Sequence, residues 1–193
     1  MSLETGERNP RGIPKAPFIV DVDAHLGGPD GDAEGPLKAI QESIGKYRYM
    51  DANLTQRRQG LEEKIPDIKK TLSMVQFLSN QHSEHEDEED GGKLKTSFEL
   101  NDTLFAEAEL EDTDTVFLWL GANVMLSYKI PAAIELLKSK LKAAEKSLAN
   151  TEEDLEFLRE QLTVMEVNMA RVYNADVKRR REKRLKEGEK DGG

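Results

Sequence analysis

The chain has 193 residues, 34% of them charged and 37% hydrophobic, with a net charge of −10 and a mean hydropathy of −0.68. So thin an apolar supply argues against a single large globular core, and the acid excess argues against a whole-surface nucleic-acid binder. Cysteine is absent, which excludes disulfide staples and thiolate metal sites.

Residues 1–35 are rich in Gly, Pro and Asp, and their composition predicts a disordered N-terminal arm with one apolar island, "IPKAPFIVDV". The "FIV" run is far too short for a secretory signal. No apolar run approaches the ~20 residues that span a bilayer, so a soluble, intracellular chain with no membrane partner is expected.

Pro36 is placed to open a helix over 36–82. Ile40, Ile44, Tyr47, Asp51, Leu54, Arg58, Leu61, Ile65, Ile68, Leu72 and Val75 alternate steps of four and three, a heptad seam interrupted by two charges. Such a helix is about 70 Å long at 1.5 Å per residue. Pro66 lies inside it and is expected to kink it or loosen one turn. The acidic, Gly-Gly-ended stretch 83–93 predicts a solvated flexible loop.

Over 94–129 the period changes to that of strands. "LKTSFEL", "TLFAEAEL", "TVFLWLG" and "NVMLSYK" are rich in aromatic and β-branched residues, and turn signals at 101–102, 111–114 and 121–123 join them into two β-hairpins. Pro131 then opens a second heptad helix over 131–176, with Ile134, Leu137, Leu141, Ala144, Leu148, Thr151, Leu155, Leu158, Leu162, Met165, Met169, Val172 and Asp176 on its seam. Two heptad helices of equal length joined by a compact β segment must fold back antiparallel. Ile40 is then near Met169–Val172, and Val75 near Ile134–Leu137. The basic stretch 177–193 is expected to fray. The fold class is mainly α with a small β region: a long antiparallel two-helix coiled coil joined by two β-hairpins.

Two surfaces stand out. Short hairpins expose strand edges, and apolar side chains on both faces exceed what one hairpin pair can hide. The β segment is therefore read as an oligomerisation module carrying Leu104, Phe105, Phe117, Leu118, Trp119, Leu120, Val124, Met125 and Leu126. A plain capping sheet is the alternative. The open end of the coiled coil carries Ile40, Ile44, Tyr47 and Met50 on one helix and Met165, Met169, Val172 and Tyr173 on the other. Flexible methionines suit a surface that binds varied apolar partners, although the last heptads of an ordinary seam look the same.

His82 and His85 among acids lack the fixed geometry of a metal site. The cations of the tail, Lys178–Arg181 with Lys183, Arg184 and Lys186, suit a helix end at the negative pole of its dipole better than a nucleic-acid site. Neither a nucleophile and base nor a phosphate loop is spaced for chemistry, so neither enzymatic activity nor a catalytic residue, cofactor or metal is expected.

The order helix, two hairpins, helix, with the segment "ELNDTLFAEAELEDTDTVFLWLGANVMLSYKIPAAIELL" (99–137) and the upstream "RGIPKAPFIVDVD" (11–23), resembles the α-type subunits of prefoldin over about residues 11–176. That resemblance implies a heterohexamer with one further α-type and four β-type subunits, in which the hairpins form a double β-barrel body. It implies ATP-independent capture of unfolded or nascent chains, notably actin and tubulin, and transfer to the group II chaperonin in the cytoplasm, with the nucleus as an alternative location. Client and chaperonin contacts would map to the eight residues at the open coiled-coil end. A coiled-coil adaptor that holds no client is the rival reading, and a nucleic-acid-binding helical arm a distant third.

Overall fold

The structure, a computed structural model, describes residues 6–28, 31–85, 94–110 and 113–190, with side chains undescribed at 82–85, 94 and 186–190. In chain order the elements are α1 (Val22–His25), α2 (Glu34–His85), β1 (Leu94–Asn101), β2 (Leu104–Leu110), β3 (Thr115–Gly121), β4 (Val124–Lys129) and α3 (Ile130–Lys190). The fold class expected from the heptads and the strand-period segment is the one observed. Most of the acidic stretch, residues 86–93, and the turn positions 111–112 lie outside the described residues.

The helix boundaries differ from the sequence expectation in instructive ways. The α2 helix begins at Glu34, whose backbone N–H donates to the Asp32 carboxylate at 3.1 Å. Pro36 therefore sits within the first turn, where the missing N–H would have had no helical partner. The helix runs on through Pro66, which is exposed. The α3 helix begins at Ile130, whose N–H donates to the Asp114 carbonyl at 2.9 Å. It continues to Lys190, so the frayed tail predicted from 177 is helical through that point. Its Lys, Arg, Glu and Leu residues are good helix formers. The i,i+4 pair Asp176–Arg180, at 2.8 Å, adds support on the helix surface.

The chain divides into two compact units, one of Met1–Gly60 with Leu148–Gly193, the other of Leu61–Ser147. Each unit joins an early part of one long helix to a late part of the other, as antiparallel pairing demands.

In the first unit Ile40, Ile44 and Tyr47 of α2 share a core with Leu158, Met165 and Val172 of α3. Ile13, Ala16, Ile19 and Leu26 belong to the same core. The N-terminal arm expected to be disordered is thus a packed layer over the helix pair among its described residues. Arg8 and Pro14 form an antiparallel bridge, and between them Gly12 takes a φ of 89°, in the left-handed region open to glycine. Farther on, α1 is capped by Asp21, whose carboxylate accepts from the Ala24 N–H.

In the second unit Val75 of α2 packs with Ile130 and Ala133 of α3 and with Leu118 of β3; Val116, Tyr128, Ile134 and Leu137 lie against them. The Lys69–Glu145 ion pair, at 2.9 Å, joins the two helices on the exposed side. The four strands form two separate two-stranded sheets, β1–β2 and β3–β4. Leu118 faces Leu126 and Trp119 faces Met125 across the second hairpin, which closes through Ala122 (φ 48°) and Asn123 (φ 61°). Positive φ at both central residues matches the right-handed twist of the flanking strands.

Candidate functional site

Two surfaces carry the candidate residues, one in each unit. On the first hairpin Leu104, Ala106, Ala108 and Leu110 share a face with Phe98, while Lys95, Ser97, Glu99, Glu107 and Glu109 occupy the other, and Leu100 sits at the irregularity between Glu99 and Asn101. Lys95 reaches Glu107 across the polar face at 2.8 Å. The apolar face is uncovered: Phe98, Leu104 and Leu110 are all exposed, and so are Leu100 and, on the polar side, Phe105.

The second hairpin is apolar on both faces, as strand alternation requires of "TVFLWLG". One face turns Val116, Leu118 and Tyr128 onto the helices. The opposite face presents Phe117 at 68% exposure, Trp119 at 61% and Met125 at 52%. Toward the turn, Leu120, Val124 and Leu126 are exposed as well. Of the nine residues assigned to oligomerisation, Leu118 alone is buried within its own chain. Side chains of this size, contiguous and bare, are the mark of an interaction surface. The sequence reading missed Phe98 and Leu100; their alternation with Lys95, Ser97 and Glu99 was the available signal.

The eight residues proposed for the open coiled-coil end need correction. Ile40, Ile44, Tyr47, Met165 and Val172 are buried, and Met50 is half-buried. With the arm in place they present no bare face, because residues of the arm share their core. Only Met169 and Tyr173 are exposed.

The stripe that α3 buries also lies one step from the predicted seam. Thr151, Leu155, Leu158, Met165 and Val172 are common to both. The others are Asp154, Gln161 and Asn168, all buried, whereas Leu162 is half-buried and Met169 exposed.

Those three polar residues hold the arm. The Asp154 carboxylate accepts from Asn9 Nδ2 and Arg11 Nε, both at 2.6 Å, and Glu153 accepts from Arg11 Nη2 at 2.8 Å. Hydrogen bonds to Asp154 and then Glu153 hold the Arg11 guanidinium above its ordinary pKa, keeping it charged. The Gln161 carbonyl accepts from the Ala16 N–H at 3.0 Å, and the Asn168 carbonyl from the Ile19 N–H at 3.0 Å. The Asn168 amide donates to the Pro17 carbonyl at 2.7 Å, Tyr47 Oη to the Pro14 carbonyl at 3.0 Å, and Arg171 to the carbonyls of Ile19 and Val20. Farther along, Arg179 pairs with Asp23. Asp154, Gln161 and Asn168 thus each have partners, which removes most of the cost of burying them. The signal in the sequence was the recurrence of Asp154, Gln161 and Asn168 at intervals of seven, polar residues beside an apolar seam.

Among the described residues no helix is long and apolar enough to cross a membrane, and no cluster of three metal-ligating side chains occurs. His82 and His85 fall among the undescribed side chains.

Helices bracketing two hairpins with bare apolar faces define a class of assembling coiled-coil proteins, and the comparisons identify it. The family profile described as "Prefoldin subunit" matches residues 47–175. The chain belongs to the prefoldin family. Its relatives include prefoldin subunit 3 of Elsinoe fawcettii, 52% identical over 94% of this chain and 89% of the relative. The Saccharomyces cerevisiae prefoldin subunit 3 is 45% identical over 96% of this chain and 94% of its own length. That of Homo sapiens is 44% identical over 93% and 89%. A cryo-EM structure of filamentous PFD from Methanocaldococcus jannaschii aligns with a TM-score of 0.49 at 14% identity, over 66% of this chain and 98% of that one. Membership rests on the profile and the sequence relatives. The matched profile residues leave out the arm before residue 47.

Proposed function

We propose that this chain is an α-type prefoldin subunit that assembles with one further α-type and four β-type subunits into an ATP-independent chaperone. On this reading the complex holds unfolded or nascent chains, actin and tubulin among them, and passes them to the group II chaperonin in the cytoplasm; the nucleus is the alternative location. The observation that carries the proposal is the bare apolar face on each hairpin, Phe98 with Leu104 and Phe117 with Trp119, in a chain of this family. Assembly would bury those faces in a shared β body. Several weak apolar contacts from different subunits would then hold a client reversibly through multivalency. Within the first unit, the exposed Met169 and Tyr173 are the residues proposed to touch clients.

Co-expression with candidate β-type subunits, followed by the mass of the purified assembly, tests the first half. A six-subunit mass is expected. Light scattering by diluted, guanidine-unfolded actin tests the second half. The assembly should suppress scattering, and Met169→Ser with Tyr173→Ser should weaken suppression while sparing the mass. A complete hexamer that leaves actin aggregation unchanged would favour the adaptor reading.

A further inference from the structure

The arm lies on α3 in a way that suits more than the arm. Asn168 is wholly buried, and its amide engages two main-chain groups, the Pro17 carbonyl and the Ile19 N–H. Gln161 takes the Ala16 N–H and is itself fixed by donating to the Phe157 carbonyl at 3.2 Å. Tyr47 and Arg171 likewise bond to carbonyls. Each of these hydrogen bonds goes to main chain, which every polypeptide carries. Arg171 also lies 4.9 Å over the Phe18 ring, an attraction that any aromatic ring supplies.

The apolar contacts are as generic. Ile13, Ala16 and Ile19 are buried, and they recur at every third residue. Pro14 and Pro17 fix their own φ and hold Ile13 and Ala16 extended. Three extended residues cover about 10 Å. One heptad of α3, from Gln161 to Asn168, covers about 10.5 Å. An extended segment with apolar side chains three residues apart therefore meets Gln161 and Asn168 in succession, as Ala16 and Ile19 do.

We propose that this surface of α3, with Tyr47 of α2, is a binding groove for extended apolar polypeptide, occupied in this chain by residues 13–20. An extended segment of an unfolded protein, with apolar side chains three residues apart, is the occupant that replaces them. The proposal rests on the chaperone reading above and gives it a site. It also supplies release without a nucleotide. A displaced arm stays joined to α2, which begins at Glu34, so its effective concentration is on the order of millimolar and it competes for return.

The test uses the chain assembled with its partner subunits and a fluorescein-labelled peptide of residues 7–28, followed by anisotropy. One version carries a protease site inserted between Gly27 and Gly28, cut and washed after assembly, so that every helix folds before the arm is freed. The cut assembly should bind the peptide at least tenfold tighter than the uncut one. Asn168→Leu in the cut assembly should weaken binding about tenfold, the loss of two buried hydrogen bonds. Guanidine-unfolded actin should displace the peptide, and folded actin should not. Equal binding by cut and uncut assemblies overturns the proposal. So does a peptide that saturating unfolded actin leaves in place, since the groove then serves the arm alone. If either occurs while actin aggregation is still suppressed, the groove falls and the chaperone reading stands. Failure to suppress aggregation removes both.

Discussion

The two units solve one problem in opposite ways. Each has more apolar surface than a pair of helices can hide. The first covers its excess with its own arm: Ile13, Ala16, Ile19 and Leu26 pack against Ile40, Met165 and Val172. The second leaves Phe98, Phe117, Trp119 and Met125 bare. Exposure of a large side chain is ordinary when single and informative when contiguous. The difference separates a core closed within the chain from apolar faces that the chain leaves bare, the faces proposed to close on assembly.

The sharpest break of that comparison is Phe117→Ser with Trp119→Ser. Loss of the hexamer is expected by native mass spectrometry, with the chain's own stability changed by about 0.5 kcal/mol or less, as for exposed sites. An unchanged hexamer would show that this face is not the assembly contact. In the first unit the ranking reverses, because the apolar residues there are load already taken up. Met165→Ala should cost about 2–5 kcal/mol through a cavity, read from the urea midpoint of the assembly. Asn168→Leu should cost about 1–3 kcal/mol by orphaning the Pro17 carbonyl and the Ile19 N–H, with faster amide exchange at Ile19. Arg11→Ala, at the exposed end of the arm, should lower the urea midpoint by less than Asn168→Leu does, and by less again at high salt. The smallest effect is a gain. Ala122 sits at a φ of 48°, so Ala122→Gly should slow hydrogen exchange in the second hairpin by relieving about 0.5–1 kcal/mol of strain.

The strand-period segment and the α2 heptads were legible in the sequence because each obeys a period that local geometry imposes. Ile40, Ile44, Tyr47, Ile65, Leu72 and Val75 are buried as their spacing requires. The arm was not legible, for a physical reason. Its Pro, Gly and Asp content removes helix and strand propensity, and propensity says nothing of a segment held by side chains from elsewhere. Gln161 and Asn168 lie 145 and 149 residues from the amides they hold. The same blindness misjudged the helix-end residues: their apolar character was read correctly, and their cover went unseen. The tail was misread for a different reason: a helix running on past its paired partner was expected to fray, where Asp176–Arg180 instead props the helix surface.

The clasps at the two ends of the arm have one further consequence. The middle of the arm already favours one position, because the repeat Asp154, Gln161, Asn168 ends at Ala175, whose methyl accepts no hydrogen bond. Arg11 on Asp154 and Arg179 on Asp23 act as stops at opposite ends of the track. They reinforce that home position from both ends, and a visitor that lacks those two charges forgoes both anchors.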